Sequence, residues 1–429
     1  MEFDHTRIVL GERHGWERPV PFSMANKDQR NHIYLIGKTG VGKSTLLLNV
    51  IAQHIEAGHG VGLIDPHGDL AEALLDYIPR YRSDHLVYFN PADTDFPIGF
   101  NLLQTPDAES RHLLVSGVVD AFRSLWTDSW GPRMEYILSN ALTALTECPN
   151  TTLLGVNRLL IDPDFRAWVV RQVRDPFVRQ FWSTEYEGYD ARFQREAIAP
   201  IQNKVGRFLM SPLMRNILGQ VRSRIDFPFM MDHGRIFIAN LSKGRLGYDK
   251  SNLLGSLLVT QFQLAAMLRA RLPEEARRDF YLFIDEFQNF STEAFATILA
   301  EARKYRLCLT LSHQYMDQLP LSVRSAVLGN VGTILAFRVG HSDAEILSHE
   351  FGGSHIPEDF VHLDRFELLA KVTTEGTQPE PFRARTLAPP APALGRREAL
   401  IAHSRQRFGT PRQAVEGKLD RWMRAHGSL

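Results

Sequence analysis

Gly37-Lys38-Thr39-Gly40-Val41-Gly42-Lys43-Ser44-Thr45 decides the reading of this chain. The stretch fits G-x-x-x-x-G-K-[ST], and its surroundings fit too. The apolar run His32 to Ile36 before it predicts a strand, and Ser44 to Ile51 after it predicts a buried helix. Glycines let the backbone turn its N–H groups inward around phosphate oxygens, and the N-terminus of the next helix adds positive potential beneath them. Lys43 is placed to reach the outer phosphates and Ser44 to offer its hydroxyl to magnesium. Gly37, Thr39, Gly40, Val41, Gly42, Lys43, Ser44 and Thr45 are the expected nucleotide contacts, with ATP and Mg2+ as the expected ligands.

The chemistry needs acidic partners, and Tyr281-Leu282-Phe283-Ile284-Asp285-Glu286 supplies them, an apolar strand ending in two carboxylates. Asp285 suits the magnesium shell, and Glu286, one residue on, suits the general base that activates the attacking water. Two carboxylates that merely cap a strand are the plainer alternative. Gln314 follows a further predicted strand, Leu307 to Ser312, and ligands of open α/β sheets bind at the carboxyl ends of strands. It can sense the γ-phosphate or orient water, or it is an ordinary loop glutamine. His313 beside it reads as structural.

Working outward, Val61 to Ile64, Leu86 to Phe89, Arg235 to Leu241 and Thr333 to Val339 read as further strands, and Leu368 to Thr373 with Phe382 to Leu387 as a closing hairpin. Strands alternating with helices predict a parallel α/β sheet. Ser242 to Lys250 reads as a polar loop before an apolar helix Leu253 to Leu268. A helix with Ser291 as N-cap carries Phe295, Ile298, Leu299 and Ala302 at helical spacing. Lys43 and Asp285 lie 242 residues apart, more than a few βα units of about 30 residues would need. Residues 106–224, with helical periodicity and Pro149, Pro163, Pro176, Pro200 and Pro212 as punctuation, explain the excess as an all-helical insertion. The expected organisation is a discontinuous nucleotide-binding domain, 1–105 and 225–387, then a proline-rich linker from Ala388 and a basic helical tail to 429. Between Gly395 and Leu429 eight Arg or Lys face three acids, a net +5, which suits a docking appendage or a nucleic-acid contact.

Composition narrows the class without naming a partner. Lys plus Arg equals Asp plus Glu at 49 each, so no global basic field points to nucleic acid, although a ring or channel can concentrate charge locally. Cys148 and Cys308 lie too far apart in predicted regular structure for a disulfide framework or a cysteine metal cluster. The start of the chain lacks the features of a secretory signal, and no run of about 18 apolar residues is expected to span a membrane. The chain reads as cytosolic.

Taken together, the glycine loop, Gly62-Leu63-Ile64-Asp65-Pro66-His67-Gly68-Asp69, Ile284-Asp285-Glu286-Phe287, and Glu301-Ala302-Arg303-Lys304 leading into Ser312-His313-Gln314 resemble the HerA and FtsK branch of P-loop motors. Within it they are similar to the soluble domains of type IV coupling proteins of conjugation, over about His5 to Leu387. The resemblance implies a RecA-like ATPase core with an inserted all-α domain, a hexameric ring and DNA driven through its pore. It implies a relaxase, a nuclease or a membrane channel as further partner, and a cytoplasmic chain that can sit peripherally at the inner membrane. It assigns Arg303 as an arginine finger for the neighbour's nucleotide, with a surface arginine paired to Glu301 or to a helix C-terminus as the alternative and Arg338 as second candidate. Related motors that secrete protein, or that pair with a nuclease, keep those functions open. The loop Ser242 to Gly247, with Lys243 and Arg245, is an expected DNA contact. Coupling proteins carry N-terminal membrane helices and HerA proteins an N-terminal barrel, and the 31 residues before the His32 strand fit neither.

Overall fold

The computed structural model describes residues 6–13, 18–104, 107–390 and 395–424, without the side chains of 293 and 294. The expected boundary at 105/106, linker residues Ala391 and Pro392 and the end of the tail lie outside the described residues. The chain forms two compact units: 1–89, 227–242 and 265–403 in the first, and 90–226, 243–264 and 404–429 in the second.

The first unit is built on one sheet of eleven strands. In chain order these are β1 (Arg7–Arg13), β2 (Val20–Ala25), β3 (Ile33–Ile36), β4 (Gly60–Asp65), β5 (Leu86–Phe89), β6 (Ile236–Asn240), β7 (Phe280–Ile284), β8 (Leu307–His313), β9 (Thr333–Ala336), β10 (Glu367–Lys371) and β11 (Phe382–Arg385). Their order across the sheet is β2-β1-β11-β10-β9-β3-β8-β7-β4-β6-β5. The run from β9 to β5 is parallel, and its central strands are buried along their whole length. Continuous burial explains why they read as unbroken apolar runs instead of alternating ones. From β9 to β2 the pairing is antiparallel.

Several expectations need correction. His32 is not in β3: it ends the preceding 3-10 turn at φ 63°, and its ring accepts from the Leu309 N–H while facing the Leu299 carbonyl. β1 and β2 are additional strands. Gly11 in β1 lies where a Cβ would come within 2.4 Å of the Arg385 carbonyl oxygen, so only glycine lets β11 pair this closely. The polar loop after β6 holds a helical turn, Lys243–Leu246, and the apolar helix starts at Tyr248, not Leu253. That helix, continuing to Arg271, is the one described helix long and apolar enough to cross a membrane, and 67% of its apolar window is buried in the protein. The helix Glu293–Glu301 is capped at Thr292, not Ser291, whose hydroxyl donates to the Gln288 carbonyl instead. Arg303 lies in the 3-10 turn that follows, Ala302–Tyr305.

The second unit is helical from Arg111 to Leu218. Proline opens the helices Pro132–Glu147, Pro163–Gln172, Pro176–Gln180 and Pro212–Leu218, where its missing N–H costs nothing. Asp162, Asp175 and Asp190 cap helices by accepting two backbone N–H groups each. The tail helix Arg412–Arg424 belongs to this unit.

Candidate active site

The parallel strands bring the expected residues to one end of the sheet. β3 runs into the glycine loop, which passes straight into the helix Lys43–Glu56. Gly40 at φ 78° and Gly42 at φ 122° hold backbone conformations that favour glycine, and a Cβ on Gly42 would also come within 2.8 Å of the Phe366 ring. Neighbouring strands anchor the loop: the Gly37 N–H donates to the His313 carbonyl, Lys38 N–H to the Arg338 carbonyl, and Phe366 N–H to the Val41 carbonyl. Lys43 is only 6% exposed, and its ammonium donates to the carbonyls of Gly37 (2.6 Å) and Lys38 (3.0 Å), which centres it in the loop. Burial lowers its pKa while Glu286 and Asp285 hold it up. Ser44 stands exposed at the loop's open side.

β8 lies between β3 and β7, so the residue after β8 sits between the glycine loop and the carboxylates. Gln314 occupies that place, and its side-chain amide donates to Glu286 Oε1 at 3.0 Å. Gln288 donates to the other oxygen, Oε2, at 2.7 Å, and Glu286 itself takes the left-handed conformation at φ 47°. A non-glycine residue held there costs about 1–3 kcal/mol, which neighbouring contacts must sustain. The Asn289 side chain supplies one, donating to the Glu286 carbonyl.

Asp285 is buried, and its carboxyl is pushed up to about 6, first by burial and then by the charges of Asp65 and Glu286, with Ser312 and Lys43 pulling it back. The sequence alone gives Asp65 no role. It ends β4 beside β7 and is fixed by N–H donors from His67 (2.8 Å) and Ala71 (2.9 Å). A cluster of buried carboxylates facing one ammonium is short of positive charge, which fits a divalent cation. Among the described residues no group of three His, Cys, Asp or Glu side chains can hold a metal alone. Asp285 and Ser44 could hold one together with phosphate oxygens.

His313 is structural: its ring is buried against Tyr34 and Phe287, hydrogen-bonded to the Tyr34 hydroxyl, and kept neutral by burial, which lowers its pKa to about 3. Arg303 and Arg338 part company. Arg338 follows β9, exposed, beside the glycine loop of its own chain. Arg303 precedes β8, so the seven residues of that strand, about 23 Å, separate it from the site. Sequence reading missed Phe366, which no motif surrounds, and Gln288, which lies just past the Ile284-Asp285-Glu286-Phe287 motif.

Against known proteins, residues 8–250 match the family described as helicase HerA, central domain. The chain belongs to that HerA family. No curated protein sequence matches it significantly. Among solved structures, the bacterial conjugative coupling protein TrwB in its unbound form superimposes with TM-score 0.56 at 15% identity, over 85% of this chain and 86% of that one. TrwB in complex with ADP and Mg2+ gives TM-score 0.56 at 15% identity, over 89% and 94%. VirB4 of Thermoanaerobacter pseudethanolicus gives 0.55 at 16%, over 89% and 96%. At these identities the likeness establishes the fold, a RecA-like core with a mixed sheet. With its glycine loop and carboxylate pair, this HerA-family chain is a P-loop ATPase.

Proposed function

We propose that the chain is an ATP-driven DNA translocase, working as a hexameric ring in conjugative or mobile-element DNA transfer. The hydrogen bond from Gln314 to Glu286 carries the reading. It ties the residue that can sense the γ-phosphate to the candidate base, so hydrolysis and strand movement can be linked. In this reading residues 37–45 grip the phosphates and Lys43 moves from the loop carbonyls to the outer phosphates. Glu286, held by Gln314 and Gln288, takes the proton of the attacking water. Magnesium, held by Ser44 and Asp285, would offset charge on the phosphate oxygens. Arg303, at the far end of the sheet from its own glycine loop, serves the neighbour's nucleotide. TrwB, which crystallises with ADP and Mg2+, supports the ligand assignment.

Residues 106–224 form the inserted module and, with the tail, recognise the partner, whether relaxase, nuclease or channel component, in the cytoplasm or at the inner membrane. Lys243, its amine 4.6 Å from the Tyr248 ring centre, and exposed Arg245 contact DNA phosphates. The test is ATP turnover with and without single- and double-stranded DNA, alongside the mass of the assembled particle. Stimulation by DNA in a six-subunit particle is expected. Turnover indifferent to DNA, in the parent and in Lys243→Ala/Arg245→Ala alike, overturns it in favour of a protein substrate.

A further inference from the structure

The helical unit holds a cleft of about 550 Å3 that the ATPase site does not use. Three stretches of sequence make it: Asn150 to Leu154, the segment after the helix Pro212–Leu218, and the tail helix Arg412–Arg424 with Thr410 before it. The tail helix is seated by buried Val415 and Leu419, and Gly219 permits the approach, because a Cβ there would come within 2.9 Å of Leu419 Cδ2 and 2.6 Å of Leu154 Cδ1. Glu416 accepts from the Asn216 amide at 3.2 Å, and the Trp422 carbonyl accepts from Arg158 at 3.0 Å. The cleft is therefore built from a fixed helix, not from a loose appendage.

Its charge is one-sided. Arg222, Arg224, Lys418 and Arg421 line it, with no carboxylate among the lining residues. Other arginines of this unit pair with acids: Arg158 with Asp162, Arg166 with Glu187, Arg412 with Glu416, Arg424 with Asp420. Among the described residues the side chains of these four make no hydrogen bond or ion pair. Four like charges converging on one concavity repel each other and favour an anion there. Trp422, half-buried, is part of the same lining, and cations beside an aromatic ring form the platform on which unstacked bases and their backbone are bound. The ring already meets Phe165 edge-on and carries the Arg158 guanidinium 5.3 Å from its centre, so it is held in place, and an acidic peptide would need the charges alone. The volume lies in the range of small-ligand sites, about 300–1,000 Å3, on the scale of one or two nucleotides.

We propose that this cleft binds the phosphodiester backbone of single-stranded nucleic acid, with a base against Trp422. It is a holding site apart from the motor's own DNA contacts, and its binding needs no ATP turnover. The measurement is anisotropy of a labelled oligothymidylate on the full chain without nucleotide, over a salt series. The variant Arg222→Ala/Arg224→Ala/Lys418→Ala/Arg421→Ala changes exposed side chains only and should melt with the parent and keep its basal ATPase rate. Its affinity should fall at least about tenfold, and the salt slope should shrink by roughly 0.7 for each phosphate that is no longer neutralised. A bromodeoxyuridine oligonucleotide should photocrosslink at Trp422. Unchanged affinity and slope, crosslinks only elsewhere, or competition by duplex or polyglutamate equal to that of the single strand would each overturn the cleft. If the variant binds like its parent and DNA still stimulates turnover, the cleft fails and the translocase reading stands. If DNA never stimulates turnover yet the variant loses the oligonucleotide, the reverse holds.

Discussion

At Glu286 the backbone and the side chain are held by separate partners: Asn289 grips the carbonyl, while Gln314 and Gln288 take the two carboxylate oxygens. Replacing Glu286 by Gln keeps the shape and removes the proposed base, so Glu286→Gln should bind ATP with near-parental affinity and lose turnover by about 10²-fold or more. Lys43→Ala should lose nucleotide binding itself. Nucleotide titration by fluorescence beside a phosphate-release assay separates the two, and brisk hydrolysis by Glu286→Gln would dismiss its role. Asp285 makes a prediction in pH. Its carboxyl ionises at 3.8 in the unfolded chain and near 6 in the fold, so the native state binds the extra proton between those values. Stability therefore falls as pH rises from about 4 to 6, and the deficit is constant above that. Without nucleotide or magnesium, Asp285→Asn should be more stable than the parent above pH 6 by roughly 1–3 kcal/mol, the gap closing below pH 4. A melting series that shows no such gap at pH 8 would mean the carboxylate is better solvated than its burial implies.

Elements explain what was legible. β3, β4, β7 and β8 could be read because strands buried on both faces need unbroken apolar runs, and their motifs sit at strand ends where an open sheet exposes polar groups. Gln314 was legible for the same reason. β1 and β2 were not: Arg7–Arg13 is a short apolar run, Ile8 to Leu10, broken by Gly11 and flanked by charge, and it pairs with β11 through Glu12–Arg385 and Arg13–Ala384, a distant partner that no local pattern announces. The turn Lys243–Leu246 was masked by Gly244 inside it and Gly247 after it, and the tail's docking by its charge, since Val415 and Leu419 are few among many polar residues. The β4 turn gives a prediction at this scale. Gly68 at φ 91° precedes the helix Asp69–Leu75, and a Cβ there would lie 2.5 Å from the Asn240 side-chain oxygen, which accepts from the Ser242 N–H. Gly68→Ala should cost about 1–3 kcal/mol, seen as a lower melting temperature, and Asn240→Gly in the same chain should recover part of it. No loss would show that β4 and β6 can slide apart at this end.

For the whole molecule, the sheet's direction separates Arg303 from its own glycine loop, and the proposed ring would present it to a neighbour. Arg303→Ala subunits keep a working loop, and Lys43→Ala subunits keep a working arginine. Each should be inactive alone, and mixtures should regain ATP turnover at interfaces joining the two intact halves, the arginine being worth about 10³–10⁵ in rate. Near-normal turnover by assembled Arg303→Ala would move the assignment to Arg338. The join between β1 and β11 bears on how such a chain is made. Arg13 pairs with Ala384, so at ribosomal speeds of about 5–20 residues per second the first strands wait roughly 20 to 70 seconds for their neighbour. Until then the edge of β1 at Glu12 and Arg13 has no partner strand, and a nascent chain stalled before Phe382 presents that open edge to chaperones, proteases and other copies of itself.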